Sequence, residues 1–180
     1  MTHAIAVLDK VQATDVGSYN RVARSATALD NGWVMQLASR SATTGETEVW
    51  VGTIPTSGAG LTHLWMAYSA EVVSIISGSN VFKGIDVDPQ NFYHVIGDMI
   101  DIFKPQIGDL ITLTADALTG SINAYAVATN NDWKLVWGAS GAVSGLVLKY
   151  LATTYISKPT GAISETQRVV AYQFEVSAIA

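Results

Sequence analysis

The chain has 180 residues, of which 49% are hydrophobic and 14% charged, with a net charge of −5, three histidines and no cysteine. The charged fraction is well below the roughly 25% usual for soluble domains, so copies of the chain have little charge to hold them apart. Ten scattered Lys and Arg argue against a nucleic-acid partner, the lack of cysteine excludes disulfides and thiol catalysis, and no apolar run approaches the roughly 18 residues of a spanning helix.

The opening MTHAIAVLDKVQ lacks a basic region followed by a continuous apolar core. It does not read as a secretory signal, and synthesis in a cytoplasm is expected. Through Asp30 the apolar residues are isolated, with no sustained period of 2 or 3.6. Residues 1–30 are therefore expected to form an arm that lies on a neighbouring subunit, and residues 31–180 a single compact domain.

Asn31-Gly32 is a turn signal, after which Trp33, Met35 and Leu37 alternate with Val34, Gln36 and Ala38 as in a strand. A second strand is expected in TEVWVGT, with Val49 and Val51 opposite Glu48 and Trp50. From Leu61 to Ile76 the apolar residues fit a helical face, while AEVVSII fits a strand; strands are the preferred reading. Pro89 followed by QNFYHVI and Gly97 suits a short helix or an aromatic loop.

In DLITLTA, Ile111, Leu113 and Ala115 face one side and Leu110, Thr112 and Thr114 the other. Further strands are expected in SINAYAVAT, in NNDWKLVWG and in GLVLKYLATTYIS, where Lys149 and Thr153 would share a face opposite Leu148, Tyr150 and Ala152. The clearest alternation is QRVVAYQFEV, which places Val170, Tyr172, Phe174 and Val176 on one face expected to be buried. Short strands separated by Gly, Asn and Asp turns predict an all-β fold, a small barrel or sandwich.

Candidate chemistry is sparse. His3, His63 and His94 show no paired spacing, so a metal would need His94 joined by carboxylates from elsewhere. Asp86, Asp88, Asp98, Asp101 and Asp109 have the oxygens a hard cation requires, but their spacing matches no calcium loop and suits turn capping. No nucleophile elbow or opposed carboxylate pair is recognisable, and Ser140 and Ser144 lie in a glycine-rich link. No catalytic, cofactor or metal residue is assigned, and the chain is not expected to be an enzyme. Trp33, Trp50, Trp65, Trp133 and Trp137 fit either packing or a sugar-stacking platform, with packing preferred.

Residues 60–120, with AEVV at 70–73, Gly108-Asp109 leading into a strand and TADALTG at 114–120, resemble a family of tailed-bacteriophage proteins encoded beside the major capsid protein. These are the capsid decoration, cement or head-fibre proteins. The likeness continues weakly through TQRVVAYQFEV, and the first thirty residues have no matching pattern. The resemblance implies a virion structural protein on the capsid exterior, with the major capsid protein and neighbouring copies of itself as partners, so a homo-oligomer on the shell. Nucleic acid and membrane are not expected as partners. The alternative is a β-sandwich carbohydrate-binding module that adheres to host glycans.

Overall fold

The computed structural model describes residues 2–56, 61–72, 74–77, 80–83, 88–141, 145–159 and 166–179. Among these residues the strands run in chain order as β1 (Ala6–Lys10), β2 (Asn20–Ser25), β3 (Val34–Arg40), β4 (Val49–Thr53), β5 (Trp65–Ala67), β6 (Ser74–Ser77) and β7 (Asn80–Lys83). They continue as β8 (Met99–Phe103), β9 (Leu110–Thr114), β10 (Leu118–Thr119), β11 (Tyr125–Val127), β12 (Leu135–Gly138), β13 (Leu146–Pro159) and β14 (Thr166–Ile179). The fold is all-β: helical structure among the described residues is confined to 3-10 turns such as Pro89–Asn91, where Asp88 accepts a hydrogen bond from the Gln90 N–H at 2.9 Å. The span from Leu61 to Ile76 contributes β5 and β6, so its helical spacing is not used.

Two layers hold most of the strands among the described residues. One is a closed barrel in the order β2-β4-β3-β5-β8, with β2 and β4 parallel and the remaining neighbours antiparallel. The other is a seven-stranded sheet in the order β1-β9-β14-β13-β11-β12-β10, and β6 pairs separately with β7. Strand alternation joins the layers. Met35, Trp65 and Ala67 fill the barrel with Ala23, Ile100 and Ile102. Val34, Met66 and Phe103 point out of it, onto Ile111, Leu113 and Phe174 of the sheet. Gly52 on β4 leaves room for this arrangement, because a Cβ there would stand 2.7 Å from the Met35 sulfur.

The N-terminal thirty residues are not an arm. Ala4, Ile5 and Ala6 are buried, β1 pairs with β9, and β2 is a wall of the barrel. The Ile5 N–H donates to Thr114 Oγ1 at 2.9 Å, and the Ile5 carbonyl accepts the Thr114 N–H at 3.0 Å. Asp30, also buried, accepts the Ala4 N–H at 2.9 Å. The compact unit therefore includes residues on both sides of the expected boundary at Asn31. The turn at Asn31-Gly32 does form, with Gly32 at φ +83° in the left-handed region that glycine tolerates.

On β14 the expected apolar stripe is real but longer than its cover. Tyr172, Phe174 and Val176 are buried, whereas Val170 is 41% exposed, because β9 pairs only with Ala171–Glu175 and ends there. On β13 a bulge at Leu151 separates the pairs Tyr150–Phe174 and Ala152–Gln173. The extra residue shifts the alternation, so Tyr150 and Thr153 share a face, with their hydroxyls 2.7 Å apart. Lys149 and Thr153, expected on one face, therefore lie on opposite ones, opposed to Glu175 and Tyr172 respectively.

Candidate functional site

Among the described residues the histidines and aspartates do not gather into one cluster. His3 bonds Asp30 at 2.8 Å and stacks on Tyr93 at 4.6 Å between ring centroids. His94 is buried, with Nε2 at 3.1 Å from Asn31 Oδ1. That oxygen also accepts the Ser69 N–H at 3.0 Å, so Nε2 carries the proton. The Asn31 amide donates to the Ser69 carbonyl at 3.0 Å and to Glu71 at 3.4 Å. Burial pushes His94 below its ordinary pKa, against the pull of Asp98, Asp30 and Asp101, and burial pushes Glu71 up, against the Asn31 hydrogen bond. This network pins the turn before β3 to the segment following β5.

Asp88, Asp98 and Asp109 serve as turn caps and anchors. Asp88 also pairs with Lys158 at 2.6 Å, Asp98 accepts the Val95 N–H at 3.3 Å, and buried Asp109 accepts the Gln12 and Gln106 N–H groups at 2.9 and 2.8 Å. Asp101 is exposed on β8. Asp86 and Ser144 lie outside the described residues, and Ser140 is exposed. Among the described residues no three His, Cys, Asp or Glu side chains are grouped as a metal centre would need.

No tryptophan is exposed. Trp137 packs in the sheet core with Tyr150, Tyr172 and Phe174, Trp65 is buried in the barrel, and Trp33, Trp50 and Trp133 flank the barrel core half-buried. A platform of coplanar solvent-facing indoles is absent.

Three surface features remain. On the outer face of the barrel, Arg24 lies between Val51 on β4 and Met99 on β8 in register, and these two are 36% and 53% exposed. The guanidinium is neutralised by Glu46 and donates to the Gly97 carbonyl at 2.8 Å, drawing in the turn that exposes Val95 and Ile96. The result is an apolar row with its one cation already paired. A second feature is the ribbon formed by β13 and β14 beyond the reach of β11 and β9, exposing Leu151, Tyr155 and Val170.

The third is a cavity of about 510 Å³ at one mouth of the barrel, lined by Arg21, Gln36, Leu37, Trp50, Thr56, His63, Trp65 and Lys104. Arg21 is on the inward face of β2, two residues from Ala23. Its guanidinium carbon is 4.7 Å from the Trp50 ring centroid and 5.0 Å from that of Trp65. Sequence reasoning missed Arg21 and Lys104, since the indoles that frame Arg21 come from β4 and β5 and no local spacing links them.

No protein-family description, curated protein or solved structure matches the chain. No helix among the described residues is long and apolar enough to cross a membrane.

Proposed function

We propose that the protein is a virion structural protein that binds the outer surface of a tailed-phage capsid and stabilises it by bridging major capsid protein subunits. The family resemblance of residues 60–120 supports this reading. The observation that carries it in the fold is the exposed apolar row of Val51, Met99, Val95 and Ile96 around a neutralised Arg24. Apolar side chains clustered on a rigid barrel wall are the usual material of a protein contact.

Binding that favours the assembled shell stabilises that shell by mass action. Each contact can be weak, because several engaged copies raise the effective concentration of every further contact. Neighbouring copies of the protein are the second partner, and beyond β11 and β9 the ribbon of β13 and β14 offers them strand edges that no strand pairs with among the described residues. A contact made chiefly of apolar groups depends little on salt.

Heat-induced DNA release from capsids with and without the protein, at low and high ionic strength, tests the reading. Coated particles should release DNA at a higher temperature at both ionic strengths. Release at the same temperature as bare particles would rule out a cementing role.

A further inference from the structure

We propose that the mouth of the barrel is a binding site for a small organic anion, a carboxylate or phosphate carried on a ring-shaped body. The site is separate from the outer barrel face, and the inference does not depend on capsid binding.

Hydrogen-bond donors are prominent in the lining. Arg21, Lys104 and His63 bring cationic or protonatable groups to one cavity, and Arg40 lies over the same Trp50 ring at 5.6 Å. None of these four makes an ion pair among the described residues, although the chain has 15 carboxylates for its 10 Lys and Arg. The Gln36 Oε1 atom is already taken, accepting from the Thr56 hydroxyl at 3.1 Å and the Thr56 N–H at 3.3 Å. Its amide NH2 is what remains to offer. The Thr56 hydroxyl, its proton given to Gln36, can still accept, but the cations and the Gln36 amide outweigh it, and a cavity in which donors and positive charge dominate selects a ligand rich in acceptors, an anion above all.

Arg21 is arranged for this use. The Arg21 guanidinium carbon lies over both the Trp50 and the Trp65 ring, an attraction of cation to ring that spends none of its N–H groups on a carboxylate among the described residues. Those donors form the planar fork that matches two oxygens of a carboxylate or phosphate. Arg21 is exposed, so a ligand can reach it. Leu37 and the two indoles provide an apolar wall beside the charge, and a volume of about 510 Å³ fits one or two sugar-sized rings. A long polyanion is disfavoured, because the cations gather at one mouth of a chain with net charge −5 and the surrounding surface would repel its further charges.

Trp50 and Trp65 border the site, so tryptophan fluorescence of the full chain reports binding. The probes are glucuronate and glucose 6-phosphate as ring-bodied anions, glucose as the ring alone, inorganic phosphate as the anion alone, and a single-stranded oligonucleotide. The two ring-bodied anions should give a saturable change, weakened severalfold when NaCl is raised from about 50 to about 500 mM. Glucose should give none, and phosphate should bind at least tenfold more weakly. Arg21→Ala and Arg21→Lys should each lower affinity at least tenfold, the latter because an ammonium lacks the fork. Lys104→Ala lies outside the barrel strands and should lower it severalfold with an unchanged melting temperature, which keeps the test decisive if the Arg21 variants fold poorly. Equal binding of glucose, equal binding of inorganic phosphate, tighter binding of the oligonucleotide, or no saturable change would each overturn the assignment.

Discussion

Replacing Ile5 by Ala asks directly whether the N-terminal segment belongs to the core. Ile5 is 2% exposed, and both of its backbone polar groups are held by Thr114. The substitution removes three buried carbons, worth about 2.4 kcal/mol in transfer free energy at roughly 0.8 kcal/mol per group. The space left behind adds to this, giving an expected loss of about 2–5 kcal/mol. The hydrogen bonds to Thr114 survive, since they use the backbone, so the loss reports packing alone. Urea denaturation followed by tryptophan fluorescence should show the midpoint falling by about 1–3 M at unchanged slope. Val170→Ala, at a position 41% exposed, is the control and should cost about 0.5 kcal/mol or less. If Ile5→Ala and Val170→Ala denature together, near the unaltered protein, residues 2–10 are not part of the core and the β1–β9 pairing is wrong.

The buried His94 gives the fold a dependence on pH. Its pKa in the folded chain is below the ordinary 6.5, so between the two values the unfolded chain binds the extra proton. Stability is full above 6.5 and falls as pH drops through that window. Glu71 has the opposite sign, since its raised folded pKa favours the fold at low pH and that contribution is lost as pH rises past 4.5 toward the folded value. His94→Gln, which keeps a donor toward Asn31, should flatten the decline in melting temperature between about pH 7 and about pH 5.5; an unchanged slope would show that His94 does not carry it. Val51→Lys combined with Met99→Lys should abolish co-sedimentation with capsids while moving stability by no more than about 0.5 kcal/mol per site, and retained co-sedimentation would remove the outer barrel face from the interface. Gly32→Ala should destabilise by about 2 kcal/mol or more in the same urea assay, since the added Cβ would stand 2.7 Å from Leu113 Cδ2 at a positive φ, and an unaffected midpoint would contradict that crowding.

What the sequence made legible was whatever a local pattern encodes. The stripe of Tyr172, Phe174 and Val176 and the turn at Asn31-Gly32 are such features, because alternation and a left-handed glycine need no knowledge of the partner strand. The role of residues 4–10 was hidden, since Ala4, Ile5 and Ala6 are buried consecutively and leave no period, and their partner β9 is more than a hundred positions away. The bulge at Leu151 was equally hidden, as an extra residue in one strand is defined only against the other. Exposure at Val170 depends on where β9 stops. The barrel mouth was the least legible, because Arg21, Trp50, Trp65 and Lys104 come from four separate segments and become one site only when the barrel closes.

The pairing of β1 with β9 also sets an order of events during synthesis. At about 5–20 residues per second, β1 leaves the ribosome on the order of 5–20 seconds before β9 does. By the time β9 emerges every strand of the barrel has emerged before it, and closing the barrel draws the two ends of the intervening chain toward each other. The barrel thus acts as its own tether, shortening the search that β1 must make for β9. Substitutions that slow barrel closure should therefore prolong the time for which Ile5 and its neighbours remain accessible to proteases and chaperones, even where the finished fold is as stable as before.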